Sequence, residues 1–272
     1  TGKMVPERGR SCTSRAMDFI GKSNPTYNVF GSRSLEEIYG ACIKEGTVVV
    51  ANTLAHMVFL NRGDKFEGRP MPKEAQFAPV FGVNVADFDG DGNEDVFVAQ
   101  NFFASQIETP RSDGGRGLLM LGDGQGELKP MPGHESGLTI YGEQRGSAVG
   151  DFDADGRPDL VVTQNGNITH LFRNALAKPG LRVHLDAGKG NPTGVGTIAR
   201  LKFEGDKLGP ARAVTAGSGY WSQDSAVLVL AMPTQPTHIE IRWPGGKTTS
   251  TQLPKNSSEI TINSEGKLTA NQ

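Results

Sequence analysis

The chain has 272 residues, with 28 Lys and Arg against 30 Asp and Glu, for a formal net charge of -2. This balance, without any cluster of Lys or Arg, argues against nucleic acid or an anionic membrane surface as a partner. No apolar run approaches the roughly 18 residues of a membrane span, so a soluble protein is expected. Plentiful Gly (36) and Pro (16) beside short runs of Val, Thr and Ile predict a mostly β protein, built of short strands and tight turns. The opening, Thr1-Gly2-Lys3-Met4, carries neither an initiator Met nor a signal-peptide pattern, so a longer natural chain is expected. Two cysteines, Cys12 and Cys42, leave open either a disulfide or two buried thiols.

Residues 1–46 read as a short helical N-terminal segment. Ser34 with Glu37 forms a capping-box signature, Leu35, Ile38, Cys42 and Ile43 follow at helical spacing, and Gly46 supplies a stop. A second helix is predicted over residues 13–21. From Thr47 the pattern changes to strands. Residues 59–72 and 120–132 each read as strand, Gly/Asp turn, strand and Pro-Met-Pro, and a similar turn is expected after residues 170–174. The resulting repeat across residues 47–178 is about sixty residues long, the size of a propeller blade. Beyond Pro179 the repeat stops. Six alternating strand candidates begin near residues 181, 197, 211, 226, 238 and 258, so residues 179–272 should form a small antiparallel, β-sandwich-like domain.

One acidic loop is written twice. DFDGDGNED starts at Asp87 and DFDADGRPD at Asp151. Asp87, Asp89, Asp91 and Asp95 hold positions 1, 3, 5 and 9 of the first, and Asp151, Asp153, Asp155 and Asp159 those of the second. Gly92 and Gly156 hold position 6, where a sharp turn is needed. Four converging carboxylates repel one another unless a cation sits among them or they point apart into water. Position 7, Asn93 or Arg157, is expected to offer its backbone carbonyl, and the position-9 Asp to close the ligand set. An EF-hand is excluded, because position 12 is Val98 or Val162 and a strand follows. Hard oxygen donors on a flexible loop favour Ca²⁺ over Mg²⁺, with about two sites, and the lack of Cys or His excludes Zn²⁺. Phe88 and Phe152 are expected to anchor the loops by burying their rings.

At these residues the sequence resembles the FG-GAP/VCBS repeats, blades of integrin-α-type β-propellers. FGVNVADFDGDGNEDVFVA carries the full pattern, and RGSAVGDFDADGRPDLVV keeps all of it except the Phe, which is Arg145. GNPTGVGTIARLKF, AVTAGSGYWSQ and IEIRWPGGK resemble the ASPIC/UnbV domain that follows such repeats in cartilage-acidic-protein-like secreted proteins. AVLVLAMP stands where that domain usually has Gly-Leu-Gly. The resemblance implies structural Ca²⁺ sites within blades, partial blades here, and an extracellular or cell-envelope location.

The leading functional expectation is a non-enzymatic, Ca²⁺-binding propeller module for protein or glycan binding, in contact with upstream blades or other copies. Two alternatives are a polysaccharide-active propeller enzyme, for which Asp113, His134 and Glu135 would have to converge, and a subunit polymerising through open sheet edges. Arg62-Gly63-Asp64 reads as a hairpin turn in preference to an adhesive motif, and residues 190–196 as a turn. The five histidines lack metal-ligand spacing. Tyr220 and Trp221 could stack on a partner, but rings plugging the domain's own core are the favoured reading.

Overall fold

The described residues of this computed structural model, 2–107 and 109–269, are mostly β with few helices. Two compact units divide the chain: residues 1–54 with 104–111, and residues 55–103 with 112–272. The first unit thus runs past the boundary expected at residue 46 and takes in a short stretch from the middle of the chain.

The first unit contains five short helices, α1 (Arg10–Ala16), α2 (Asp18–Ser23), α3 (Tyr27–Ser32), α4 (Leu35–Tyr39) and α5 (Cys42–Glu45). The capping box is formed as expected: Ser34 Oγ accepts from the Glu37 amide at 3.3 Å, and Glu37 accepts from the Ser34 amide at 2.7 Å. The single helix expected after it is instead broken at Gly40, whose φ of 58° only glycine adopts without strain. Extended backbone at Met17 likewise splits the second expected helix. Ile20, Phe30 and Ile38 make the small core of this unit. Cys12 and Cys42 are free thiols, which corrects the disulfide reading; they are half-buried and exposed respectively, not buried as the other reading expected. Residues 47–54 form no strand: Val48, Val49, Val50 and Leu54 are exposed, because no partner strand pairs with them among the described residues.

In the second unit, β1 (Met57–Asn61) and β2 (Phe66–Pro70) form the hairpin whose turn is Arg62-Gly63-Asp64. Arg62 pairs there with Glu67 at 2.9 Å. Next come two blade-like antiparallel sheets. The first is a four-stranded meander of β3 (Val80–Ala86), β4 (Asp95–Gln100), β5 (Leu118–Gly122) and β6 (Leu128–Pro130). The second has three strands, β7 (Gln144–Gly150), β8 (Asp159–Gln164) and β9 (Asn167–Phe172). Among the described residues no fourth strand joins this sheet after β9. Asn174 accepts instead from the Leu176 and Ala177 amides, turning the chain away from the sheet. This corrects the expected turn after residue 174.

Strand β4 is apolar along both faces because both are covered. Phe97 and Ala99 pack with Leu119, Ile140, Leu160 and Val162 between the two sheets, while Val98 joins Met120 and Ala75 on the other side. Each large side chain buried in this way contributes about 1.5–3 kcal/mol. The first strands, β3 and β7, lie against each other. A Cβ on Gly82 would fall 2.4 Å from Ser147 Oγ, so this close approach requires glycine.

All six strands expected after Pro179 are present, and with two more that were not expected they form two packed four-stranded sheets. One has the order β13 (Leu228–Leu230), β10 (Leu181–Asp186), β16 (Glu259–Asn263), β17 (Leu268–Thr269). The other has the order β12 (Arg212–Ala213), β11 (Ile198–Lys202), β14 (His238–Arg242), β15 (Thr248–Gln252). Alternate residues of both sheets, among them Val183, Ile262, Ala199 and Ile241, enclose a common core with Trp243. The pairing is antiparallel except that β10 and β16 run parallel. The expected sandwich is therefore mixed in its pairing.

Candidate metal-binding loops

Each acidic loop joins the first two strands of its sheet: residues 87–94 lie between β3 and β4, and residues 151–158 between β7 and β8. The equivalent placement follows from the repeat. In the first loop, Asp87 is buried. Its Oδ1 accepts from the Gly90 and Asp91 amides at 2.6 and 3.1 Å, and its Oδ2 from the Gly92 amide at 2.7 Å. Gly92 sits at φ 96°, which brings its amide onto Asp87 as the sixth position requires. One oxygen from each of Asp87, Asp89 and Asp91 lies within 4.8 Å of the others.

Asp95, expected to close this set, is not part of that group. Its two oxygens accept from the Phe88 and Gly122 amides at 2.7 and 2.9 Å. Burial pushes the Asp95 carboxyl up to about 7, against those two amides and with Asp89 and Asp87 beside it. Burial also raises Asp87, opposed by the Gly92 and Gly90 amides. Among the described residues no Lys or Arg pairs with Asp87, Asp89, Asp91 or Asp95. Hard oxygens with unbalanced charge, two of them on buried groups, suit a divalent cation. Glu94, next to the set, pairs with Arg212 of β12 at 2.5 Å.

The second loop repeats the backbone but not the electrostatics. Asp151 accepts from the Asp155 and Gly156 amides at 3.0 and 2.9 Å, and Asp159 from the Phe152 amide at 2.8 Å. Asp151, Asp153 and Asp159 present oxygens within 4.8 Å of one another. Asp155 is missing from this group because Arg157 draws it aside, at 2.6 Å. Arg173 pairs with Asp153, and Arg182 with Asp151 at 2.7 Å. Two of the three converging carboxylates, Asp151 and Asp153, are already matched by guanidiniums, an arrangement that fits a bound cation poorly.

What the structure places at position 7 is a donor to position 5. Asn93 Nδ2 reaches Asp91 at 3.0 Å, and Arg157 takes the same role. Phe88 packs partly into the inter-sheet core as expected. Phe152 does not; it is 75% exposed. Asn174 joins the two loops by donating to Phe88 O at 2.8 Å while its amide donates to Asp159 Oδ1 at 2.8 Å.

Three residues invisible to the motif search complete this region. Arg182 and Arg212 come from the sandwich strands β10 and β12. Asp224, from the same domain, accepts from Asn84 of β3 and from the Val149 amide of β7 at 3.0 and 2.7 Å. Only long-range folding brings them to these two sheets; in sequence they are single polar positions in otherwise ordinary strands and turns. A cleft of about 770 Å³ gives solvent access to the first loop along Asp91, Asn93 and Glu94.

Residues 217–223 depart from the favoured reading. Trp221 is 89% exposed and Tyr220 44%, so neither ring plugs the core. Trp221 sits in the left-handed region at φ 50°, uncommon for a non-glycine residue. Tyr220 meets Phe81 edge-on with centroids 5.8 Å apart and Trp221 at 6.5 Å, forming an aromatic ledge. His134 and Glu135 are adjacent and exposed at 3.6 Å, and among the described residues no hydrogen bond or ion pair brings Asp113 to them. No helix among the described residues is long and apolar enough to cross a membrane.

Residues 187–269 match the family model described as ASPIC and UnbV. The C-terminal sandwich is thus an ASPIC/UnbV domain, and the two acidic loops lie outside the matched residues. No curated protein matches the chain.

Proposed function

We propose that the chain is a Ca²⁺-stabilised propeller module of the FG-GAP/VCBS kind, joined to its ASPIC/UnbV domain and working outside the cytoplasm as a non-enzymatic binder of protein or glycan. The observation that carries this reading is the first loop, where Asp87, Asp89 and Asp91 converge without a cationic side chain. When bound, Ca²⁺ supplies charge neutralisation and loop rigidity, not chemistry. Asp87 would be the buried anchor, with Asp89 and Asp91 reaching the ion from the solvent side. The exposed Tyr220–Trp221 ledge supports the binding role, since amphipathic aromatics of this kind carry much of the energy at recognition surfaces.

Thermal melting with and without cation tests the metal reading. At extracellular-type affinities of about 10⁻⁴ to 10⁻³ M, 5 mM Ca²⁺ should stabilise the fold by roughly 1–2 kcal/mol, or several degrees in Tm. The Asp89→Ala variant should lose this response. A wild type that melts identically in EDTA and in Ca²⁺ would exclude the metal.

A further inference from the structure

We infer that the second acidic loop is not a second metal site but an arginine clamp that fastens the second blade sheet to the ASPIC/UnbV domain, leaving the first loop as the sole cation site of the pair. This rests on the calcium reading only for the first loop; the clamp itself stands on the ion pairs.

The two loops share a backbone design and differ in what balances their charge. Around the first, four aspartates face no cationic partner among the described residues. Around the second, Arg157, Arg173 and Arg182 pair one each with Asp155, Asp153 and Asp151. Three guanidiniums thus face the four loop carboxylates, with Arg182 shared with Glu259. A divalent cation entering there would sit among positive groups, and it would have to displace bonds already made.

The arginines come from three places: Arg157 from the loop itself, Arg173 from just past β9, and Arg182 from β10. Arg182 is the informative one. Its side chain is 14% exposed, and the Asp151 side chain has no exposed surface. The same guanidinium also holds Glu259 of β16 at 2.7 Å, so one chain of charges runs from the blade loop across two strands of the sandwich. Arg157 adds a bond from Nε to Ala177 O at 2.6 Å, on the linker to the sandwich. There the Gly180 amide donates to Gly156 O at 2.7 Å. A bidentate-capable, permanently charged group suits a fixed, half-buried joint of this kind.

Counting bound Ca²⁺ by equilibrium dialysis on the full chain tests the metal half. One ion per chain is expected in the wild type, none in Asp89→Ala, and one still in Asp153→Ala. Two ions in the wild type, or loss of the ion in Asp153→Ala with retention in Asp89→Ala, would overturn the inference. Melting in EDTA tests the clamp even if no variant binds an ion, an outcome that would refute the calcium reading alone. Arg182→Met should lower Tm by about 5–10 °C, and the gap to wild type should stay the same when both proteins are melted in Ca²⁺. Should it fail to fold, Asp151→Asn gives the same readout in milder form. An unchanged Tm, or a gap to wild type that Ca²⁺ closes, overturns the clamp.

Discussion

Glu143→Gln is a sharp test of how the β3–β6 and β7–β9 sheets are joined. Glu143 is 4% exposed; its Oε1 accepts from the Phe103 amide at 2.6 Å and pairs with Arg145 at 2.5 Å, while its Oε2 accepts from Asn165 Nδ2 at 2.7 Å. Arg145 lies 4.0 Å over the Phe81 ring and donates to Asn101 O at 3.0 Å, so this network ties the start of β7 to the first sheet. Glutamine keeps the shape but removes the charge and one acceptor, stranding a mostly buried guanidinium. Breaking a buried pair costs about 3–5 kcal/mol, and the 15% exposure left to Arg145 favours the lower end, about 3 kcal/mol. At roughly 2–4 °C per kcal/mol, Tm should fall by about 6–12 °C, read by circular dichroism at pH 7.

The pH dependence of that difference has a definite sign. Burial would raise the Glu143 carboxyl, but the Phe103 amide, Asn165 and Arg145 together hold it below its usual 4.5. A carboxylate depressed in the folded state stabilises fully above its unfolded pKa, and this contribution fades as pH falls through the folded value. The gap between wild type and Glu143→Gln should therefore be constant above about pH 5 and shrink below about pH 4.5. A Tm change of under a degree at pH 7, or a gap that widens on acidification, would refute the reasoning.

Other substitutions separate packing from display. Gly82→Ala puts a methyl group 2.4 Å from Ser147 Oγ and 3.0 Å from Arg145 O, forcing β3 and β7 apart; a loss of about 1–3 kcal/mol should appear in chemical denaturation. Ile241→Ala empties a fully buried position in the sandwich core and should cost about 2–5 kcal/mol in the same assay. Trp221→Ala should leave Tm within about a degree, since the ring is 89% exposed, while weakening capture on a glycan or protein array. Equal array binding by wild type and Trp221→Ala would remove the ledge from the binding surface.

Local chemistry was readable because it depends on neighbours in the chain. The Ser34–Glu37 box needs only two residues three apart in the chain, and the alternation in residues 181–186 needs only one buried face, so both could be located in advance. The curl of Asp87 to Gly92 is similarly local, set by glycine at the sixth position and aspartates bonding amides a few residues on. Helix continuity was misjudged where one backbone torsion decided it, at Gly40 and Met17. The exposed rings of Phe152 and Trp221 were misjudged because hydrophobicity says which residues prefer burial, not whether a partner surface reaches them.

By itself, then, the sequence determined the strands, the duplicated loop and the oxygen-rich character that suits a hard cation. Only the tertiary structure decided that the copies differ. Asp87 and Asp151 occupy the same position in the same motif, yet Arg182 stands against the second and no cationic side chain pairs with the first among the described residues. Charge balance is a property of space, acting between groups a few ångströms apart, and Arg182 lies thirty-one positions along the chain from the aspartate it neutralises.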